Sequence, residues 1–173
     1  MTPLFVVELL ADHDRTEFSC GTAALDRYFK TQVTQDIRRH VTNCFVAVEV
    51  GTQIVAGFYT IAAASIPTPD LPENITKKLP RYPSVPAIRV GRLAVDAGFH
   101  GRGLGGALLA DAAAKGLKAD AAAFAMLVDA KDEAAVAFYE HHGFERLISQ
   151  PGSLFLALGT AEKAMAVRGA RKR

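Results

Sequence analysis

A glycine-rich segment that follows an apolar run constrains the fold of this chain more than any other feature. The apolar run ends at Val95, and glycines at positions 101, 103, 105 and 106 then open an alanine- and leucine-rich pattern. This order predicts a strand, a turn and a helix. A helix N-terminus presents unpaired backbone N–H groups, its dipole favours anions, and glycine permits close approach. The segment therefore predicts a phosphate-binding site.

Composition places the chain among ordinary globular proteins of one domain. It has 173 residues, of which 50% are hydrophobic and 22% charged, and 173 residues suit a single core. Its apolar runs are too short to span a membrane, and no signal peptide is recognised. Two cysteines make no disulfide framework, and neither has metal-ligand spacing to a histidine. We therefore expect a cytoplasmic protein that contacts no membrane and holds no metal.

The charge of the chain is unevenly distributed along its length. The net charge is +2, but residues 159–173 alone carry +4, which leaves −2 on the rest. A basic tail is typical of nucleic-acid binding, although a solvated and partly frayed terminus explains it equally well. We predict a folded domain over residues 1–158 and a basic C-terminal tail over residues 159–173.

Hydrophobic periodicity predicts strands and helices in an order typical of a mixed α/β sheet. Strands are predicted at Leu4–Leu10 (an edge strand), Cys44–Val50, Gln53–Ala63, Pro86–Val95, Ala123–Val128 and Leu154–Leu158, and helices at Thr22–Val33, Gly103–Leu117 and Asp132–His142. The strands on either side of Gly51 are expected to form a hairpin, and Gly143 to end the third helix. Residues 66–86 are expected to be a loop, in which Asp70 and Glu73 resemble a helix-capping pair.

Two motifs compete for the glycine-rich segment. Gly101-x-Gly103-x-x-Gly106 matches the dinucleotide fingerprint of a Rossmann fold. In that fold, however, the first glycine follows the strand directly. Here the five residues Asp96–His100 intervene, and too little sequence follows for a doubly wound half-domain.

The second motif is the acetyl-CoA turn of the GNAT family of N-acetyltransferases, which the chain resembles. The family has Gln or Arg, two residues, Gly, one residue, and Gly or Ala, and this chain has His100-Gly-Arg-Gly103-Leu-Gly105. A second hallmark is Ala134-x-x-x-Phe138-Tyr139-Glu140-x-x-Gly143-Phe144, and Arg92-Leu-Ala-Val95 matches upstream. These matches span residues 88–145. The resemblance implies a GNAT fold, a mixed central β-sheet flanked by helices in a single domain, and acetyl-CoA as co-substrate.

The resemblance also implies roles for individual residues. The backbone N–H of Val95 is expected to stabilise the oxyanion, and Tyr139 to protonate the leaving thiolate. Tyr139 could instead be an aromatic core residue beside Phe138. The residues expected to bind acetyl-CoA are Leu93, Ala94, Val95, His100, Gly101, Arg102, Gly103, Leu104, Gly105, Gly106, Lys131 and Phe138. A bulge at the end of the strand would leave backbone groups free for the pantetheine arm.

Further segments resemble the toxin branch of this family, which belongs to bacterial toxin–antitoxin pairs. They are Phe18-x-Cys20-Gly21-x-x-x-Leu25-Asp26-x-Tyr28-Phe29, Gly91–Asp96, Val128-Asp-Ala-Lys131-Asp-Glu-Ala134 and Leu154-Phe155-Leu156. Such toxins acetylate the α-amine of aminoacyl-tRNA and block translation. The resemblance also implies a ribbon-helix-helix antitoxin, contact with DNA only through the antitoxin complex, and a possible homodimer. Arg38, Arg39, Arg89 and Arg92 are the expected contacts to tRNA phosphates.

Two other functions stay open. No carboxylate or histidine stands out as a dedicated base, which favours either an amine of low pKa, such as an α-amine, or a water molecule that relays the proton. An ordinary acetyltransferase that acts on a small-molecule or protein amine would use the same site. A non-catalytic acyl-CoA-binding or DNA-complex subunit is the third alternative, and Tyr139 beside an intact glycine turn argues against it.

Overall fold

The computed structural model of this protein describes residues 4–171, and its strands form a mixed sheet. The strands are β1 (Phe5–Leu9), β2 (Asn43–Glu49), β3 (Val55–Pro67), β4 (Ser84–Val95), β5 (Ala125–Asp129), β6 (Glu145–Arg146) and β7 (Ser153–Ala157). Their order in the sheet is β1-β2-β3-β4-β5-β7-β6. β1–β2, β2–β3, β5–β7 and β6–β7 pair antiparallel, whereas β4 and β5 pair parallel. The predicted mixed α/β fold is confirmed, as are the edge position of β1 and the β2–β3 hairpin.

Six α-helices lie within the described residues. They are α1 (Ala23–Thr31), α2 (Val33–Arg38), α3 (Glu73–Thr76), α4 (Leu104–Lys118), α5 (Glu133–His141) and α6 (Leu158–Arg171). Two short 3-10 turns, Thr68–Asp70 and Ala97–Phe99, follow β3 and β4 respectively. No helix within residues 4–171 is both long and apolar enough to cross a membrane.

The chain divides into two compact units, and the first comprises the residues up to Ala62 together with Gly91–Asp111. Its core contains three phenylalanine rings. Phe29 and Phe58 stack with centroids 4.1 Å apart, and Phe18 meets both edge-on. At Gly57 a Cβ would lie 3.0 Å from the Ala94 carbonyl oxygen and 3.1 Å from Leu108. A side chain at that position of β3 would therefore press on both neighbours, which favours glycine.

The second unit comprises Ala63–Val90 and the residues from Ala112 onward. Its core includes Ile66, Leu127 and Phe155, all nearly fully buried. The last part of α4 lies close to Ile88 of β4, since a Cβ at Gly116 would stand 2.6 Å from the Ile88 side chain. The unit therefore packs the end of α4 directly against β4.

The structure corrects the predicted helix at Thr22–Val33. It is interrupted at Gln32, which separates α1 from α2, and α2 continues to Arg38. The residue at the break has φ −120° and ψ −34°, outside regular helix geometry. A single apolar periodicity across residues 22–33 does not reveal such a break.

The predicted loop and capping pair at residues 66–86 were also partly wrong. β3 continues to Pro67, so the loop begins later than expected. Asp70 caps no helix: it is buried, and its carboxylate accepts a hydrogen bond from the hydroxyl of Ser149. Pro72 precedes α3 instead. Asp70 therefore bonds to Ser149, 79 positions away in sequence, instead of capping a helix nearby.

The predicted basic tail is helical as far as it is described. α6 begins at Leu158, which is buried together with Ala161 one turn later. Its basic residues Arg168 and Arg171 lie in the exposed last turn. Lys172 and Arg173 fall outside the described residues. The division at residue 158 stays a prediction.

Candidate active site

The glycine turn has the backbone geometry of an anion-binding site. Gly101 and Gly103 have φ of +78° and +76°, the left-handed region that strains other residues. Residues 101–103 are exposed, and α4 begins at Leu104. Its first turn leaves backbone N–H groups without intrahelical acceptors. The turn thus presents amides beside a helix N-terminus, as the sequence predicted.

The end of β4 is held in place by backbone and side-chain hydrogen bonds. The Asp96 N–H donates to the Ala56 carbonyl at 2.8 Å. The Asp96 carboxylate accepts from the backbone N–H of Ser19 at 3.0 Å and of Gly98 at 2.9 Å. These bonds fix the strand directly after Val95, whose N–H is the expected oxyanion donor.

His100 stands where the family has Gln or Arg, and its side chain supports the same strand end. Its Nε2 lies 2.8 Å from the Val95 carbonyl oxygen. Because a carbonyl only accepts, Nε2 must carry the proton and donate. The carbonyl and the N–H of the Val95–Asp96 peptide are therefore both occupied. His100 connects the glycine turn to β4 through this bond.

Arg102 also lies along the turn. Its guanidinium carbon is 5.2 Å from the ring centroid of Phe99, which is buried. The contact orders an exposed cation beside the first turn of α4. A positive charge in this position suits an anionic ligand.

Tyr139 lies on α5, whose two ends are well defined. The helix begins after Asp132, whose carboxylate accepts from the Ala135 N–H at 2.8 Å, and Gly143 with φ +92° follows it. The Tyr139 ring is 7% exposed, and its centroid lies 5.5 Å from that of Phe144. Burial, with a smaller contribution from the Asp129 carboxylate, raises the pKa of Tyr139 to about 12. The hydroxyl therefore stays protonated at neutral pH.

Arg89, an expected tRNA contact, is engaged within the protein. Its guanidinium forms an ion pair with Asp129, and the Ser153 hydroxyl donates to the other Asp129 oxygen at 2.7 Å. Sequence reasoning did not single out Asp129. The available signal was a carboxylate at the carboxyl end of a buried strand. The ion pair requires the β4–β5 register, in which Arg89 lies opposite Leu127.

Arg92 has a different environment. Its backbone N–H donates to the Thr60 hydroxyl at 3.0 Å, and its guanidinium carbon lies 3.6 Å from the ring centroid of Tyr28. The Tyr28 hydroxyl donates to Asp36 at 2.8 Å. Burial and this hydrogen bond raise the pKa of Tyr28 above its usual value. Sequence reasoning missed both Tyr28 and Asp36 as neighbours of Arg92.

The remaining expected residues occupy scattered positions. Arg38 is the last residue of α2, Arg39 follows it, and both are exposed. Lys131 is exposed in the segment between β5 and α5, whereas Phe138 is half-buried beside His142. Burial and the neighbouring His141 and Arg168 lower the pKa of His142. Within residues 4–171, no group of three or more His, Cys, Asp or Glu side chains is placed to hold a metal ion.

Residues 40–146 match the model of the acetyltransferase (GNAT) domain. The chain belongs to the GNAT acetyltransferase family. This confirms the family predicted from the glycine turn and the Phe138-Tyr139 segment, and it excludes the dinucleotide interpretation of the same glycines.

Two curated relatives of this GNAT protein are toxins. A tRNA-acetylating toxin of Mycobacterium tuberculosis is 37% identical over 150 residues, covering 86% of this chain and 88% of the relative. A probable toxin TacT of Sinorhizobium fredii is 31% identical over 162 residues, covering 88% of this chain and 90% of the relative. Both similarities extend over nearly the whole chain.

Solved structures of toxins share the fold. A mutant of KacT has a TM-score of 0.85 at 27% identity, covering 94% of this chain and 99% of that one. AtaT complexed with acetyl-methionyl-tRNAfMet has a TM-score of 0.84 at 26% identity, with coverages of 93% and 99%. AtaTR bound with AcCoA has a TM-score of 0.77 at 26% identity, with coverages of 93% and 98%. The predicted GNAT fold is confirmed.

Proposed function

We propose that this GNAT protein is a toxin that transfers acetyl from acetyl-CoA to the α-amine of aminoacyl-tRNA and thereby blocks translation. The observation that carries the proposal is the 37% identity to a tRNA-acetylating toxin over 86% of the chain. The glycine turn has a geometry that suits the pyrophosphate of acetyl-CoA. Tyr139 is protonated, as a proton donor to the leaving thiolate must be.

Acetyl-CoA binding is assigned to the glycine turn and the end of β4. The amides that follow Gly101 and Gly103 receive the pyrophosphate, and a helix N-terminus favours its charge. The open space around the missing Cβ atoms of both glycines leaves room for a phosphate. Backbone groups of Leu93–Val95 pair with the amides of the pantetheine arm. Lys131 and Phe138 complete the expected contacts.

The acyl transfer needs a neutral amine and a stabilised oxyanion. The amine attacks the thioester carbonyl, and the Val95 N–H donates to the oxygen as negative charge develops. The hydrogen bonds of Asp96 and His100 hold this end of β4 rigid, so the donor is oriented before the substrate arrives. A rigid donor needs no reorganisation during the reaction.

The leaving thiolate needs a proton, and Tyr139 supplies it. When the tetrahedral intermediate collapses, the carbon–sulfur bond breaks and the phenol proton moves to sulfur. Because burial raises the pKa of Tyr139 to about 12, the proton is present at every physiological pH. The nitrogen of the intermediate loses its extra proton to solvent, and solvent returns a proton to the phenolate, so that an amide and a free thiol remain. Tyr139 is thereby both a packed aromatic residue and the proposed general acid.

An aminoacyl ester suits an enzyme in which no carboxylate or histidine of residues 4–171 is assigned as a base. The α-amine at a peptide N-terminus has a pKa of about 7.7–8.0, and the electron-withdrawing ester of an aminoacyl group lowers the pKa of its α-amine further. A large fraction of the amine is then neutral at pH 7, whereas a lysine side chain with a pKa of about 10.4 would be almost fully protonated. The lower pKa thus favours the α-amine of aminoacyl-tRNA over a lysine side chain.

The partners proposed for this chain follow from the toxin relatives. A ribbon-helix-helix antitoxin neutralises the enzyme, and DNA is reached only through that complex. Translation takes place in the cytoplasm, so the enzyme acts there. A homodimer is compatible with this arrangement.

Labelled acetyl transfer to charged tRNA tests the proposal. The purified protein is incubated with acetyl-CoA and a mixture of aminoacyl-tRNAs, and the aminoacyl-adenosines released by nuclease are analysed by mass spectrometry. We expect acetylated α-amines on aminoacyl-tRNA, and none on formyl-methionyl-tRNA, which lacks a free amine. Acetylation of a small amine or of protein lysines, with aminoacyl-tRNA unmodified, would instead establish an ordinary acetyltransferase.

A further inference from the structure

We propose that Tyr28 and Asp36 are positioning residues that hold Arg92 ready to bind a phosphodiester near the 3′ end of the substrate tRNA. The inference rests on the proposed function and extends it. Tyr28 is buried and Asp36 is half-buried, and the acetyl-transfer chemistry uses neither of them.

The first observation is the placement of the Arg92 side chain. Its guanidinium carbon lies 3.6 Å from the centroid of the Tyr28 ring, which is direct contact over the aromatic face. Such a contact attracts the cation to the ring quadrupole. The aromatic ring thus lies directly against the guanidinium group. An arginine held in this way loses less freedom when it binds a ligand.

The second observation is that the Tyr28 ring cannot turn away. Tyr28 is 5% exposed on α1, and its hydroxyl donates to the Asp36 carboxylate on α2 at 2.8 Å. Asp36 therefore fixes the far end of the ring that supports Arg92. The break between α1 and α2 at Gln32 brings these two residues together although they are eight positions apart.

The backbone of Arg92 is anchored as well. Its N–H donates to the Thr60 hydroxyl at 3.0 Å, so a side chain replaces a regular backbone acceptor at this point of β4. Gly91 lies beside the same hydroxyl, since a Cβ there would stand 3.2 Å from Thr60 Oγ1. Arg92 is thus fixed at both its backbone and its guanidinium.

The third observation is the contrast with Arg89 on the same strand. The charge of Arg89 is matched by Asp129, whereas the ion pairs described within residues 4–171 include no carboxylate partner for Arg92. Arg92 is exposed. A planar guanidinium with a free N–H edge matches two phosphate oxygens at once.

The position of Arg92 along β4 selects which phosphate it meets. It directly precedes Leu93–Val95, the segment proposed to hold the pantetheine arm and the oxyanion donor. The amino acid that reacts there is esterified to the terminal nucleotide. A cation this close to the reacting end therefore meets the last phosphodiesters of the single-stranded 3′ terminus. Residues such as Arg38 and Arg39 contact phosphates of the tRNA that lie further from its 3′ end.

Steady-state kinetics at several salt concentrations test the inference, with aminoacyl-tRNA and with an aminoacyl-adenosine that has no phosphodiester. For Arg92→Gln we expect KM for aminoacyl-tRNA to rise about tenfold while kcat is kept. The slope of log(kcat/KM) against log[salt] should become shallower by about 1, because one phosphate contact is lost. Activity on the aminoacyl-adenosine should be unchanged.

The Tyr28 variants test the positioning role itself. Tyr28→Leu removes the aromatic face and should raise KM for aminoacyl-tRNA almost as much as Arg92→Gln. The double variant should be no worse than Arg92→Gln alone, since both changes remove one interaction. Tyr28→Phe keeps the face and loses the bond to Asp36, so a smaller rise is expected. Unchanged kcat on the aminoacyl-adenosine shows that each variant is folded.

Arg27→Gln is the matched control, because it removes an exposed charge from the same helix as Tyr28. It should leave KM and the salt slope as they are. Additive effects of Tyr28→Leu and Arg92→Gln, or an unchanged salt slope in Arg92→Gln, overturn the inference while acetylation of aminoacyl-tRNA by the wild type leaves the proposed function standing. If the wild type acetylates no aminoacyl-tRNA, the proposed function fails first and this inference fails with it.

Discussion

The glycine turn and the Tyr139 region differ in what fits each of them for its proposed role. The turn is exposed and depends on backbone conformation, with two glycines at positive φ before α4. Tyr139 is 7% exposed and depends on its surroundings, where burial and Asp129 raise the pKa of its hydroxyl. The groups proposed to bind the anion are backbone amides, which every residue of the turn carries. A proton donor, in contrast, is one atom whose properties its neighbours set.

This difference predicts how each region responds to substitution. Changes at the turn should affect acetyl-CoA affinity in proportion to the strain they introduce. Changes at or near Tyr139 should affect the rate of the chemical step and its pH dependence.

The largest effect is expected for Tyr139→Phe. Removing the hydroxyl removes the proton donor and leaves the packing of the ring intact, so kcat should fall by about 10²–10⁴-fold. The dissociation constant of acetyl-CoA, measured by calorimetry, should stay the same. Tyr82→Phe makes the same chemical change at an exposed tyrosine and should retain full activity. Near-normal kcat in Tyr139→Phe would show that Tyr139 is a core residue and that another group protonates the thiolate.

A smaller effect, on binding, is expected for Gly103→Ala. The methyl group meets no atom within 4 Å, so the cost comes from φ +76° alone. A non-glycine residue in this region costs about 1–2 kcal/mol, which corresponds to a loss of roughly tenfold in acetyl-CoA affinity. Gly152→Ala also points its methyl group into open space, but without a positive φ, and should bind normally. Equal affinities for the two variants would show that the left-handed conformation is dispensable.

The pH dependence of kcat sharpens the account of Tyr139. The rate should rise as the substrate amine loses its proton and then stay level to about pH 10, because a donor with a pKa of about 12 remains protonated there. In Asp129→Asn one cause of the raised pKa is removed, so the alkaline decline should begin at a lower pH. Rapid-quench assays limit ester hydrolysis during the measurement. A wild-type decline already at pH 8–9 would contradict the assignment.

The smallest effect is expected for His100→Gln. The glutamine amide can donate to the Val95 carbonyl in place of Nε2, so acetyl-CoA affinity should change by less than about threefold. His100→Ala loses the bond and should weaken binding or slow the reaction by about two- to tenfold. A large loss in His100→Gln would mean that the imidazole itself contacts the ligand.

Sequence patterns predicted the parts of this molecule that local chemistry determines. Glycine spacing located the turn before α4. Asp132 caps the start of α5 and Gly143 follows its end, as expected for an aspartate and a glycine at these positions. Apolar periodicity found six of the strands within a few residues. The two-residue strand β6 was missed because Glu145 and Arg146 carry no apolar pattern.

Features that depend on contacts between distant residues were not predictable. The pairing of Arg89 with Asp129 follows from strand register, and the burial of Asp70 from a contact with Ser149. The stacking of Arg92 on Tyr28 joins residues 64 positions apart in sequence. α6 was interpreted as a tail because its charge is conspicuous, although Leu158 and Ala161 already stand at helical spacing.

Gly57 affects the distance between the two elements proposed to bind acetyl-CoA. The pyrophosphate and the thioester of coenzyme A are separated by a fixed number of covalent bonds. The enzyme must therefore keep α4 and the end of β4 at a matching separation. Both elements close on Gly57, where a methyl group would press at 3.0 Å on the Ala94 carbonyl and at 3.1 Å on Leu108. The absence of a side chain at Gly57 thus lets α4 and the end of β4 approach closely, and a larger residue would press on both of them.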